Sequence, residues 1–410
     1  MKDISTSIVK LDATDKATGK SLYINDIEVP GLLHAKTVRS KHAKAKIISR
    51  TYPVLPEGYY IVDHTDIPGT NYIKMIFDDW KIFAEDEVEF YLEPIALILG
   101  PDKEVVQELV EKVEIEYKVE TPEFEFNNSA VHFNFNKGNI DKAVEDSDQV
   151  ISITYDTPYQ EQLYIEPQGM IGYFEEGQVT LIGSIQCPYY VKNAVIQILN
   201  CDEDYVRVKQ ATVGGAFGGK EEFPSLLACQ LAIAIDKFKV PISLIYEREE
   251  GMETTTKRHP ATLKMTGYIK DNKINGLKCT VGIDAGAYIG LSGVVLSRAL
   301  IASTGAYTIN NLEVDGDVYI TNTVPNGAYR GFGAPQMFFA IEMFVHHVAK
   351  KIGVDPLLLR KDMLAKQNDR TSTNGTFRDP IIMNEMLEKA LKESDYVRKV
   401  NEYKVDGSFR

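Results

Sequence analysis

Cysteine is scarce. The 410 residues hold four, Cys187, Cys201, Cys229 and Cys279, and no two of them form a C-x-x-C pair or a ferredoxin-like run. That excludes an iron–sulfur cluster or zinc knuckle on this chain, and scattered thiols fit a reducing compartment better than a disulfide framework. Positive charge is also short: 45 Lys and Arg against 59 Asp and Glu leave a net charge of −14. Phosphate-backbone binding to nucleic acid therefore has no compositional support. No apolar run approaches the roughly 18 residues of a membrane helix. The opening MKDISTSIVKLDATDK lacks the charged-then-apolar layout of a secretory signal. A cytoplasmic protein is the expectation. There is no H-E-x-x-H, and among the seven histidines His346 and His347 are adjacent on a helix and point different ways, so zinc is not expected.

What is present is ordinary globular composition, with 44% hydrophobic and 25% charged residues. At about 150 residues per domain the length predicts two or three domains with real cores. The stretch Pro94 to Val119 reads as a β-α-β element: EPIALILG is an apolar strand, Asp102 can cap the helix DKEVVQELVEKV, and VEIEYKVE alternates apolar with charged. TPEFEFNNSA follows without period, so a domain boundary is expected near residue 125, dividing the chain into 1–125 and 126–410.

From Gln149 to Ile185 the chain reads as strands, and Pro188 then opens the helix YYVKNAVIQIL. Gln186 and Cys187 fall in the strand-to-helix connection, where α/β sheets place ligand-binding groups. Two further units repeat the plan. YVRVKQAT leads through VGGAFGGKEE to the helix FPSLLACQLAIAIDKF, and DVYITNT leads through VPNGAYRGFGAP to QMFFAIEMFVHHVAKKI, which Gly353 can end.

The loop Gly214 to Glu221, GGAFGGKE, has the strand-before, helix-after setting of a phosphate-binding loop, but Glu221 stands where Ser or Thr would hold magnesium. Its carboxylate beside phosphates is electrostatically wrong, so ATP binding is not expected. Four glycines let backbone N–H groups approach a bulky ligand, the alternative being a tight turn without one. In Ala328 to Gln336, AYRGFGAPQ, glycines flank Arg330 and Phe332. A guanidinium there could grip an anion and a ring could stack on a flat ligand, or they could be a surface Arg and a core Phe.

These two loops, with Gln186, YEREEGMETTTKRHP at 246–260 and SRAL at 297–300, resemble the molybdenum-binding subunit of the xanthine dehydrogenase and aldehyde oxidase family of molybdenum hydroxylases. The resemblance covers essentially the whole chain. It implies an α+β fold: an N-terminal α/β hammerhead domain followed by the first portion of a mixed α/β molybdopterin-binding domain. It implies a molybdopterin cofactor carrying molybdenum, with no metal ligand from the chain directly. Gln186 resembles the glutamine that hydrogen-bonds the apical oxo ligand. Gly215, Phe217 and Gly218 resemble the cofactor contacts of the first loop, and Arg330 the arginine of the second. Glu221, Arg298 and Phe332 resemble the purine-site residues, two polar groups and one wall of an aromatic sandwich. In that family a base takes the proton of the metal-bound hydroxyl, the oxygen attacks an electron-poor ring carbon, and hydride leaves to the sulfido group. Arg298 would face the negative charge that builds on the ring.

The resemblance also ranks substrates. Aldehyde-oxidising relatives look apolar at the positions of Glu221 and Arg298, and nicotinate-oxidising relatives lack the acid after GGK, so a xanthine- or hypoxanthine-like purine is favoured over nicotinate or an aldehyde. Gly331 stands where the carbon-monoxide branch has cysteine, which argues against copper-linked chemistry. Gln162 stands where many relatives have histidine. No G-x-G-E segment of the kind that supplies the family's catalytic glutamate occurs. The expectation is a split or truncated subunit, inactive alone, whose partners are a chain with the C-terminal molybdenum half, an iron–sulfur (2Fe-2S) subunit and an FAD subunit. From another class, the alternative is a cofactor-free scaffold or assembly subunit.

Overall fold

The computed structural model describes residues 5–73 and 75–406 of the chain. Two sheets carry most of it. A seven-stranded sheet runs in the order Val206–Gln210, Gln178–Gly183, Gly169–Glu175, Ile242–Ile245, Leu33–Arg39, Pro94–Gly100, Tyr60–Asp63. A five-stranded sheet runs Gln149–Thr157, Ala261–Lys270, Lys273–Gly286, Asn311–Ile320, Ser129–Lys137. The strands read as one run from Gln149 to Ile185 therefore divide between the two sheets.

The seven-stranded sheet spans residue 125. Leu33 and His34 pair in parallel register with Ile242 and Ser243, joining strands from either side of it. Pro94–Gly100 is buried at every residue, as an apolar run without alternation requires. Asp102 caps the next helix, Lys103–Glu111, accepting from the N–H groups of Glu104 (2.8 Å) and Val105 (3.2 Å). The following strand, Glu114–Val119, does not return to Pro94–Gly100. It pairs with Ala45–Thr51 in a separate three-stranded sheet. The two patterns already differed, since a strand with alternating charges cannot take a place between two buried faces.

Helices Pro188–Leu199 and Pro224–Phe238 cover the larger sheet. Every residue from Pro224 to Ile235 is buried, which is why this helix is apolar all round. Helix Ala334–Lys351 lays Met337, Ile341, Phe344 and Val348 onto the five-stranded sheet, all fully enclosed. Burial of each such side chain contributes about 1.5–3 kcal/mol. Among the described residues no helix is long and apolar enough to cross a membrane.

This layout fixes where the loops meet. Gln178–Gly183 and Val206–Gln210 are parallel neighbours, with Gly183 opposite Gln210. The connections that leave them, one with Gln186 and one with the first glycine loop, thus emerge side by side at the strands' C-terminal ends. The second loop leaves Asn311–Ile320 of the other sheet. The site lies on the seam between the sheets.

Candidate functional site

Gln186 clamps the first loop. Its side-chain oxygen accepts from the N–H groups of Gly218 (2.9 Å) and Lys220 (3.3 Å), and its own N–H donates to the Lys220 carbonyl (2.7 Å). With the oxygen committed to the protein, the exposed amide NH2 remains to donate outward.

The second loop is bonded directly to the first. Arg330 N–H donates to the Phe217 carbonyl at 2.8 Å. A Cβ on Gly218 would lie 2.5 Å from the Ala328 oxygen, and Gly218 has φ +106°, so only glycine permits this approach. Phe217 and Phe332 occupy equivalent strained positions, at φ 54° and 48°, each beside glycines of positive φ. A bulky side chain held there costs about 1–3 kcal/mol, and such strain persists where the surroundings over-determine it. Those surroundings are visible. Arg258 stacks 3.9 Å over the Tyr329 ring and donates to the Arg330 carbonyl (3.1 Å), while Gln162 donates to the Ala328 carbonyl (3.0 Å). Gln162 therefore holds the second loop.

Lys220 and Glu166 lie beneath the first loop. Lys220 is wholly enclosed, its ammonium 2.9 Å from Glu166, 2.8 Å from the Ser184 hydroxyl and 4.8 Å over the Tyr164 ring. Glu166 also accepts from Ser184 (2.5 Å) and from the N–H groups of Gly214 (2.8 Å) and Ile24 (3.2 Å). Burial works to raise this carboxyl, but Lys220, Ser184 and Gly214 together bring it below the ordinary carboxylate value. Burial likewise pulls Lys220 down. A lysine saturated in this way cannot serve a phosphate, a second reason besides Glu221 that the loop is not an ATP site. Sequence reasoning weighed Lys220 only as the lysine of a phosphate-binding loop and passed over Glu166; nothing local marks either as enclosed.

Glu221, Arg298 and Phe332 come together at the mouth. Burial raises the Glu221 carboxyl, and Arg298 acts against it without forming an ion pair within 4.0 Å. The Arg298 guanidinium lies 5.1 Å over the Phe332 ring and is exposed. Arg330 is exposed too, with no carboxylate within 4.0 Å among the described residues. The structure thus links Gln186, Gly215, Phe217, Gly218 and Arg330 through loop contacts, and brings Glu221, Arg298 and Phe332 near one another. His132, Asp315 and Asp317 converge elsewhere, on exposed strands, where hydrogen bonds already engage them.

These loops are rich in donors. The Gln186 NH2, the Arg330 guanidinium and the N–H groups of Ala216 and Phe217 have no acceptor among the described residues. Donors left without acceptors suit an anionic group, so the residues present fit a phosphate-bearing cofactor. Residues 122–364 match the family described as "Molybdopterin cofactor-binding domain", and residues 18–121 match "Aldehyde oxidase and xanthine dehydrogenase, a/b hammerhead domain". The chain belongs to the molybdenum hydroxylase family. It is 30% identical over 405 residues to the nicotinate dehydrogenase large molybdopterin subunit of Eubacterium barkeri, covering 94% of this chain and 95% of that protein. It is 28% identical to a probable xanthine dehydrogenase subunit of Bacillus subtilis (strain 168), covering 88% of this chain and 51% of that one. The fold matches the aldehyde oxidoreductase of Desulfovibrio desulfuricans ATCC 27774 with a TM-score of 0.89 at 22% identity, over 96% of this chain and 47% of that one. The chain thus spans nearly all of one relative and about half the length of the others. The molybdopterin domain is one of an oxidoreductase family.

Proposed function

We propose that this chain is one part of a molybdopterin-dependent hydroxylase acting on a purine-like heterocycle of the xanthine or hypoxanthine type. The observation that carries the reading is the group Glu221, Arg298 and Phe332, two charged side chains left unpaired beside an aromatic face. The chemistry the cofactor supplies when bound is oxidation of an electron-poor ring carbon. The chain's own residues bind and orient. Phe332 offers a face on which a heterocycle stacks, and Arg298 stands over that ring, where it can meet negative charge building on the substrate. Glu221, whose carboxyl burial raises while Arg298 opposes, can accept a hydrogen bond from a ring N–H. Gln186 and the N–H groups of Ala216 and Phe217 donate toward the cofactor, and Arg330 pairs with its anionic part.

The activity is assembled from several polypeptides in this reading: a chain with the C-terminal molybdenum half and its base, an iron–sulfur chain and an FAD chain. The relatives with about twice this chain's span support it. A division near residue 125 between the hammerhead and cofactor-binding parts belongs to the same proposal. The second reading is nicotinate, favoured by the relative of equal length and by two exposed arginines that could meet a carboxylate.

Kinetics of the assembled complex decide between the two. Purine turnover lost in both Glu221→Val and Arg298→Met supports the first reading. Nicotinate turnover that survives Glu221→Val but falls in Arg298→Met supports the second. If neither variant lowers turnover of xanthine or hypoxanthine, the purine assignment is wrong. Absence of both metal and pterin from the purified complex would leave the scaffold reading.

A further inference from the structure

Glu222 follows Glu221 directly but points the other way, into the protein, where it is 1% exposed. Its Oε1 accepts from the Ala328 N–H at 3.0 Å, a bond from the end of the first loop to the start of the second. The contact is built for a carboxyl group. A Cβ on Gly327 would collide with Oε1, and one on Gly290 would come within 3.1 Å of Oε2, so two glycines leave the space that Glu222 fills. Ala328 receives a second bond on its other side, from Gln162 to its carbonyl (3.0 Å), and its backbone is the surface against which Gly218 packs. The distance between the loops is therefore determined at Ala328, and Glu222 holds the N–H side of that peptide.

We propose that Glu222 is the positioning residue that sets the separation of the two glycine loops, and so the width of the cofactor gap. The inference rests on the molybdopterin site described above and gives Glu222 no contact with substrate. The ionisable groups around the carboxyl are Glu221 on its own segment, Asp79 from the neighbouring loop and Tyr190 from helix Pro188–Leu199. Burial pushes Glu222 up to about 8, the Ala328 N–H opposes this, Glu221 adds to it, the Leu291 N–H opposes, and Asp79 adds again. In its neutral form the group can stay enclosed. An ionised carboxylate there must draw in water, which opens the loops. The folded value lies above the ordinary 4.5, so this contribution is fully present below 4.5 and is lost as pH rises through about 8.

The test is amide hydrogen exchange of segment 326–333 in the assembled complex between pH 6 and 9, corrected for intrinsic rates, together with molybdenum content per chain after gel filtration. In Glu222→Ala, exchange of this segment rises at least about tenfold at neutral pH while strand Ala261–Lys270 stays protected, and molybdenum content falls. Glu222→Gln can still accept from Ala328, so it keeps the segment protected and removes the rise in opening that wild type shows above about pH 8. Unchanged exchange in Glu222→Ala, or an alkaline rise in Glu222→Gln equal to that of wild type, overturns the proposal. Wild type without molybdenum would instead sink the cofactor reading, while the exchange data still judge Glu222.

Discussion

Lys220→Met is the most informative single change, because it removes one member of an ion pair beneath the first glycine loop and nothing that touches solvent. The Lys220 side chain is fully enclosed and that of Glu166 is 11% exposed, with 2.9 Å between the charged atoms. Breaking such a pair from one side typically costs about 3–5 kcal/mol, mostly because the other charge is left buried without its counterion. Glu166 would keep donors from Ser184, Gly214 and Ile24, which places Lys220→Met near the lower end, about 3 kcal/mol. Glu166→Gln leaves the ammonium with Ser184 and the Tyr164 ring, and costs about 3–4 kcal/mol on the same reasoning. The double variant has no stranded charge and should cost about 2 kcal/mol less than the sum of the two or better. Urea unfolding of the four proteins at one concentration measures the cycle. The sign with pH follows from Glu166, whose folded value is below the ordinary 4.5. The stabilisation is complete above 4.5 and fades as pH falls below it, so wild type and Lys220→Met should converge in acid. Single changes costing less than about 1 kcal/mol, or additivity within about 0.5 kcal/mol, would refute the role given to this pair.

Gly218→Ala should cost at least about 1–3 kcal/mol and loosen the second loop, because its Cβ would press on the Ala328 oxygen at φ +106°; thermal unfolding and proteolysis near Tyr329 check both. His259, buried beside the Ser292 hydroxyl at 2.8 Å, is pushed down to about 3 by its burial and then by Arg258. Its folded value is below the ordinary 6.5, so wild type should lose about 2 kcal/mol between neutral pH and pH 5 through this group, and His259→Gln should lack that slope in urea titrations. Arg298→Met should leave the unfolding midpoint within about 0.5 kcal/mol of wild type, since the side chain is exposed. It should lower kcat/KM for a purine about 100- to 1000-fold.

That GGAFGGKE and AYRGFGAPQ are unusual loops was legible in the chain from their clustered glycines, and the positive φ values of Phe217 and Phe332 show the backbone those glycines serve. Gln186 was placed correctly by Pro188, which marks the helix start after its strand. What stayed hidden was long-range. Nothing local says that strand Leu33–Arg39 pairs with Ile242–Ile245 far along the chain, or that the partner of strand Glu114–Val119, which its alternating charges bar from the buried sheet, is Ala45–Thr51. Such pairings are decided by which faces remain to be covered, not by period. Glu166, Gln162 and Glu222 escaped for the same reason: a charged or polar residue reads as surface until the fold encloses it.

Everything about function depends on the two glycine loops forming one cradle for molybdopterin. Molybdenum and pterin per chain, measured on the purified complex for wild type and for Gly218→Val, test it directly. About one of each per chain is expected in wild type, with loss of both in Gly218→Val, whose side chain would enter the space between Gly218 and Ala328. Wild type lacking both, or a variant that binds them as well as wild type does, would contradict it.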